Sequence, residues 1–302
     1  MNATVRGLAH AKINLHLAVL GRREDGYHEL DTVMAGLALA DELELTSLGE
    51  ARAELVVEGP MASPDIPRDQ RNLVHAAITA GMLRARSLGA DVPAGWRLRL
   101  TKHIPSQAGL GGGSSDGAAA LRLVEDLCAQ DLGAGWRCDW LAQAGSDTVF
   151  FDAAARTLHG RCRGRGERVE ELKALPGDWR LVLVTPDVVA STGRVFSALD
   201  LAAAPGGVRD PAAFAEVALD VARASLRNDL QAAALAAVPG LSDWARRLDR
   251  IAPGRFAMSG SGSSFFALCA GQAEASELHF QVGQAPLAKR LLWMGSFAKA
   301  LE

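Results

Sequence analysis

A chain of 302 residues, 49% hydrophobic and 22% charged, can bury a sizeable core and fill one large domain or two ordinary ones. Its formal net charge of −3 and aromatic content of 5% exclude a basic nucleic-acid face and a base-stacking platform, so nucleic acid is not an expected partner. Cys128, Cys138, Cys162 and Cys269 form no C-x-x-C pair, the N-terminus lacks the apolar core of a signal peptide, and no apolar run is long enough to span a bilayer. The expectation is a cytoplasmic chain with reduced thiols and no membrane partner.

From Ala11 to Val19, apolar residues hold the odd positions, while His10, Lys12, Asn14 and His16 hold even ones. This alternation predicts a half-buried strand with Lys12 and Asn14 side by side on the face turned away from the core. Gly21 to Gly26 reads as a turn, followed by Tyr27, the only tyrosine, and His28. Leu43–Leu45, Glu54–Val57 and Trp96–Leu100 read as strands, and Asn72 to Leu88 carries apolar residues at helical spacing. Pro105 to Asp116 is a loop with four glycines, and a helix is expected from Gly117 to Leu132 with Gly133 as its stop. The cluster Arg161, Arg163, Gly164, Arg165 and Gly166 points to a domain boundary within 153–178. Arg180–Pro186 is a buried strand, and Ser191 or Thr192 caps a helix through Leu199. Pro211–Val238 is helical with a break at Arg227–Asp229. Arg255–Met258 and Phe265–Ala270 are strand pieces around a Ser/Gly loop, and Glu274–Val282 is a helix.

Three segments carry chemistry. The glycines between Gly109 and Gly113 let backbone N–H groups turn inward, and the following helix start adds a partial positive charge, which together suit a phosphate. No Gly-Lys-Ser/Thr follows and position 114 is serine, so this is neither a Walker loop nor a dinucleotide fingerprint; a flexible connector is the competing reading. Lys12 alone reads as a surface lysine, but Asn14 shares its face and an Asp-Gly-Tyr-His loop follows closely. Ser259–Ser264 alternates serine and glycine between two apolar runs and offers donors to a substrate or phosphate, with a plain linker as the alternative.

Together these segments resemble the sequence motifs of the GHMP kinases. The match rests on Ala11-Lys-Ile-Asn-Leu15, the Asp25-Gly-Tyr-His28 loop, the run from Lys102 through Gly-Leu-Gly-Gly-Gly-Ser-Ser-Asp116, Gly145-Ser-Asp147, Ser191-Thr192 with Phe196, Asn228-Asp-Leu230 and Met258–Ser264, in the superfamily's order along nearly the whole chain. The resemblance implies an α+β, two-domain GHMP kinase fold. Residues 1–160 would form an ATP-binding domain like ribosomal protein S5 domain 2. Residues 161–302 would form a ferredoxin-like domain, with the last residues returning to the first.

It also implies roles. Asp147 would take the proton of the acceptor hydroxyl, with Lys12 favouring its charged form. The backbone at Pro105, Gln107, Ala108, Gly109, Leu110, Gly111, Gly112, Gly113, Ser114 and Ser115 would hold ATP, which brings Mg2+ with it; no protein ligand for the metal can be read from the sequence. Asn14, Tyr27, His28, Phe196, Ser261 and Gly262 would bind the substrate, Tyr27 and Phe196 sandwiching a cytosine and His28 bonding its edge. The implied activity is phosphorylation of the 2-hydroxyl of 4-diphosphocytidyl-2-C-methyl-D-erythritol in the non-mevalonate isoprenoid route, by a monomer or weak homodimer whose partner is a small molecule bearing a cytidine diphosphate. A sister kinase acting on mevalonate or homoserine has no need of the Tyr27 loop. After Asp147 the run Thr148-Val-Phe-Phe151 lacks the proline and paired glycines usual in the family, which keeps a catalytically silent nucleotide-binding protein as a second alternative.

Overall fold

The computed structural model describes residues 2–201 and 213–298. Two compact units divide the chain and both are discontinuous: the first takes residues up to Ala11, Leu39–Ser106 and Gly111–Ala153, and the second takes Lys12–Ala38, Gln107–Leu110 and the chain from Ala154 onward. The division at residue 160 expected from the sequence is contiguous; these units interleave. The reason lies in β1 (Thr4–Arg22) and β2 (His28–Leu48), two long strands that each supply residues to both.

In the first unit, β3 (Ala53–Glu58) crosses through α1 (Leu73–Ser87) to β4 (Gly95–Thr101), which pairs with it in parallel. The C-terminal half of β2 lies antiparallel to β4, with Leu43 opposite Leu100 and Leu45 opposite Leu98. All four elements fall where periodicity predicts them. The following helix, α2, does not: it spans Gly112–Cys128, five residues earlier than expected, and stops before Gly133. Glycine propensity argues for a loop here, but packing overrides it. A Cβ at Gly112 would lie 2.9 Å from Ile104 Cγ2 and one at Gly117 would lie 2.6 Å from Leu73 Cγ, so these glycines let α2 sit close on its neighbours. Ala129, in the left-handed region at φ 47°, ends the helix, and Gly133 instead precedes α3 (Ala134–Ala144). The short α4 (Thr148–Ala153) completes the unit and buries Val149, Phe150 and Phe151.

In the second unit, β5 (His159–Gly164) and β6 (Arg168–Glu171) form a hairpin on the first half of β2, with Cys162 opposite Thr32. The basic cluster lies in and just after β5, while the chain passes from the first unit to the second between Ala153 and Ala154, at the start of the expected window 153–178. Arg161 pairs with Asp31 at 2.6 Å and Arg163 with Glu170 at 3.3 Å. There follow β7 (Arg180–Pro186), α5 (Thr192–Ser197), α6 (Ala213–Glu216), α7 (Leu219–Ser225), β8 (Arg227–Asn228), α8 (Leu230–Ala237), α9 (Leu241–Ile251), β9 (Ala257–Met258), β10 (Phe265–Cys269), α10 (Gln272–Gly283) and β11 (Lys289–Gly295). Of the helical stretch expected from Pro211, the first two residues lie outside the described residues.

A four-stranded sheet in the order β11-β7-β10-β9 carries the core of this unit, where Val182, Val184, Phe265 and Ala267 pack with Leu230, Leu241, Trp244 and Leu278. The short β8 runs parallel to β1, with Arg227 opposite His16. Ser296–Ala298 lie beside Gly36–Ala38, bonded from Ala38 N to Ser296 O at 3.0 Å and from Ala298 N to Gly36 O at 2.9 Å; residues 299–302 lie outside the described residues. Among the described residues no helix is long and apolar enough to cross a membrane.

Asn72 caps α1: its Oδ1 accepts from Val74 N at 3.0 Å and its Nδ2 donates to Pro67 O at 2.7 Å. Asn72→Ala is expected to cost about 1 kcal/mol, read as a lower urea midpoint at unchanged slope. An unmoved midpoint would show that the cap contributes nothing.

Candidate active site

The polar face of β1 is covered, against the expectation from alternation. Lys12 and Asn14 are each 2% exposed. Lys12 Nζ donates to Asn14 Oδ1 at 2.8 Å, Asn14 Nδ2 donates to Thr32 Oγ1 at 2.9 Å, and the Thr32 hydroxyl donates to His16 O at 2.6 Å. This chain of bonds satisfies buried polar groups and fixes which side of the Asn14 amide faces the ammonium. The Lys12 backbone N–H donates to Leu110 O at 2.9 Å, which ties the strand to the glycine loop.

The Ser/Gly loop after β9 seals the same place. Ser259 Oγ donates to Gly109 O at 2.9 Å and accepts from Asn14 N at 3.3 Å, while Ser264 N donates to Ala108 O at 3.1 Å. The approach is so close that a Cβ at Gly109, whose φ is +76°, would lie 2.1 Å from Ser259 O. Only glycine fits. Asn228 holds the loop from below, its Nδ2 donating to Met258 O at 2.8 Å and to Gly260 O at 2.7 Å. In the sequence Asn228 counts among the motif residues but without an assigned role; that motif, and the polar break it makes in an alanine-rich stretch, were the available signals. The sequence-selected residues Lys12, Asn14, Gly109 and the Ser/Gly loop thus form one hydrogen-bonded group.

The far end of that loop reaches α5. Ser261 and Thr192 share a hydroxyl hydrogen bond of 2.9 Å, and Phe196, one turn along, stacks on His28 with ring centroids 4.7 Å apart at 26°. Tyr27 is 53% exposed and lies under the Arg165 guanidinium, 4.7 Å from its centroid. Its turn is closed by Asp25 Oδ1, which accepts from Tyr27 N at 3.1 Å, and by Arg23 N, which donates to Tyr27 O at 2.8 Å. Partial burial, and next the charge of Arg22, lower the pKa of His28, so at neutral pH its imidazole is uncharged and can both donate and accept.

In the first unit, Gly111 adopts φ 70° and α2 starts behind it without a side-chain cap, leaving first-turn N–H groups available to an anion. The first turn packs over a buried ionic group that sequence reasoning did not single out. Lys102 Nζ donates to Asp116 Oδ2 at 2.7 Å and also to Asp41, whose Oδ1 accepts from His103 N at 2.5 Å and Ile104 N at 2.8 Å. Burial works against the Lys102 ammonium, but Asp116 and Asp41 outweigh it and raise its pKa. Asp147 is half-buried immediately before α4. Its turn is pinned by Thr148, whose hydroxyl reaches Leu141 O at 2.5 Å and Gly145 O at 2.6 Å, and a Cβ at Gly145 would lie 3.9 Å from Ser114 Oγ. The altered run after Asp147 thus still forms a helix with a buried apolar face, and its turn lies beside the first turn of α2. Pro105, Ala108, Leu110 and Ser115 are buried, Gln107 and Gly113 exposed, so much of this segment can meet a ligand only through backbone.

Gly109→Ala is expected to lower the thermal midpoint by several degrees and to abolish nucleotide binding, because the new methyl collides with backbone. A variant with wild-type melting and calorimetric heat would disprove the contact.

The GHMP kinases N terminal domain family model matches residues 72–160. The 4-diphosphocytidyl-2-C-methyl-D-erythritol kinase of Synechococcus sp. (strain CC9311) is 38% identical over 292 residues, covering 92% of this chain and 90% of the relative. That of Pelotomaculum thermopropionicum is 37% identical, covering 88% and 89%. A crystal structure of 4-(cytidine 5′-diphospho)-2C-methyl-D-erythritol kinase superposes with a TM-score of 0.76 at 30% identity, covering 97% of this chain and 99% of that one. With this identity sustained over nearly the full length of both chains, and with the GHMP kinase fold, the chain belongs to the 4-diphosphocytidyl-2-C-methyl-D-erythritol kinase family of GHMP kinases.

Proposed function

We propose that this chain transfers the γ-phosphoryl group of ATP to the 2-hydroxyl of 4-diphosphocytidyl-2-C-methyl-D-erythritol in the non-mevalonate route to isoprenoid precursors. The observation that carries the reading is the joining of Lys12, Asn14, Gly109 and Ser259 by hydrogen bonds in a chain whose full-length relatives bear that name.

In this reading Asp147 accepts the proton of the 2-hydroxyl as its oxygen forms the new P–O bond, and the bond from the γ-phosphorus to the β,γ-bridging oxygen breaks to release ADP. Lys12 stabilises the negative charge, and Asn14 orients both Lys12 and the methylerythritol end. Backbone N–H groups from Gly109 to Ser115, with Pro105, Gln107 and Ala108 shaping the approach, hold the phosphates. Such transfers depend chiefly on in-line positioning and on neutralising charge. Magnesium is read as arriving on ATP, where it would neutralise phosphate charge. Tyr27, His28, Phe196, Ser261 and Gly262 receive the cytidine diphosphate end. The reading places the reaction in the cytoplasm and in a monomer or weak homodimer, with residues 1–160 as the ATP-binding part and 161–302 as the remainder.

A coupled ADP-release assay comparing the cytidyl substrate with mevalonate and homoserine tests the assignment. Turnover only with the cytidyl substrate is expected, and preference for either other alcohol would refute it. Asp147→Asn should lower kcat by about a hundredfold or more while ATP still binds; near-normal turnover would remove the base. Tyr27→Ala should raise KM for the cytidyl substrate about tenfold and leave that for ATP nearly unchanged. Equal rises would rule out a stacking role.

A further inference from the structure

We infer that Lys102 is a positioning residue for the triphosphate-binding turn, and that Asp116 keeps this turn attractive to anions only while it is an uncharged carboxylic acid. The inference rests on reading Gly109–Ser115 as the ATP cradle.

Lys102, at the end of β4, Asp41 on β2 and Asp116 on α2 are 3%, 0% and 3% exposed. One ammonium thus faces two carboxyl groups away from water. They are not equivalent. Asp41 receives His103 N, Ile104 N and Lys102, which fills both of its oxygens. Asp116 receives Lys102 on Oδ2, while its Oδ1 is buried with no hydrogen-bond partner among the described residues. The two carboxyl groups share the Lys102 ammonium, so each disfavours a second negative charge beside it. An unmatched carbonyl oxygen of a neutral acid costs far less in a dry interior than part of an ionised carboxylate. Asp116 is therefore the carboxyl group that holds a proton.

The position of this group gives it a function. A Cβ at Gly112, the first residue of α2, would lie 3.5 Å from Lys102 Nζ, so the ammonium sits directly against the turn. The helix start carries about half a positive charge. Lys102 and Asp41 cancel, so the local sum is about +0.5 with Asp116 protonated and about −0.5 with it ionised. The first attracts a phosphate and the second repels it. Burial, opposed by Lys102 and reinforced by Asp41, pushes Asp116 up to about 8, within reach of mild alkali. Other ionisable groups lie on the elements packed on α2, among them Asp147, on the turn beside Ser114, and His75, whose Nδ1 is buried without a hydrogen bond. His75 of α1 sits edge-on to Trp96 with centroids 5.0 Å apart, and Asp152 of α4 is held by Arg137 of α3 at 3.2 Å.

The test is ATP binding by titration calorimetry on the full chain from pH 7 to 9, in wild type and Asp116→Asn. The terminal phosphate loses its last proton at about pH 6, below this window. The wild-type Kd should rise about tenfold between pH 7 and 9, and that of Asp116→Asn less than about twofold. A second readout needs no ligand. The folded protein holds a proton that the unfolded chain has lost above its ordinary aspartate pKa, so this stability is present at low pH and lost as pH rises through about 8. The urea midpoint of wild type should therefore fall relative to Asp116→Asn between pH 5 and 8. A flat wild-type Kd alone overturns the inference, even if the variant fails to fold, and so does an equal rise in both proteins. No ATP binding at pH 7 would overturn the cradle reading itself, and the inference with it.

Discussion

The site depends on one close approach, the carbonyl of Ser259 against the Cα of Gly109. There is no room for even a methyl group between them, since a Cβ would come within 2.1 Å of that oxygen. Because the backbones touch, the Ser/Gly loop, the glycine loop and β1 are held in one register. The Ser259 hydroxyl then bonds Gly109 O and Asn14 N together, and Lys12 is left with its ammonium on the Asn14 amide. Remove the approach and the polar side chains of β1 lose the cover that makes their burial tolerable.

Charge placement follows the same logic in both compact units. In the second, Lys12 donates to the neutral Asn14 amide, which fixes where its ammonium lies. In the first, Lys102 is matched by Asp41, and the net field at the start of α2 falls to the helix dipole and the protonation of Asp116. The aromatic end serves a different need. His28 lies flat on Phe196 and stays neutral, which suits a flat, polar-edged ring.

Much of this was legible in the sequence, for physical reasons. Alternation located β1 and β4, and helical spacing located α1, because those periods reflect burial of one face. The start of α2 was misread because glycine propensity outweighs packing until Ile104 and Leu73 are known to press on the helix. The burial of Lys12 and Asn14 was hidden because their cover comes from Ser259, 245 positions from Asn14. The Lys102 group was hidden for a similar reason. Glu42 pairs with Thr101, so the β2–β4 register alone brings Asp41 to Lys102, and register is not written in either strand.

The central claim is that bare backbone between Gly109 and Ser115 grips a triphosphate, and a crystal structure with a non-hydrolysable ATP analogue tests it most directly. The account predicts phosphate oxygens within hydrogen-bond distance of N–H groups in that segment, with the γ-phosphate at the first turn of α2. A nucleotide bound elsewhere, with those N–H groups untouched, would contradict it.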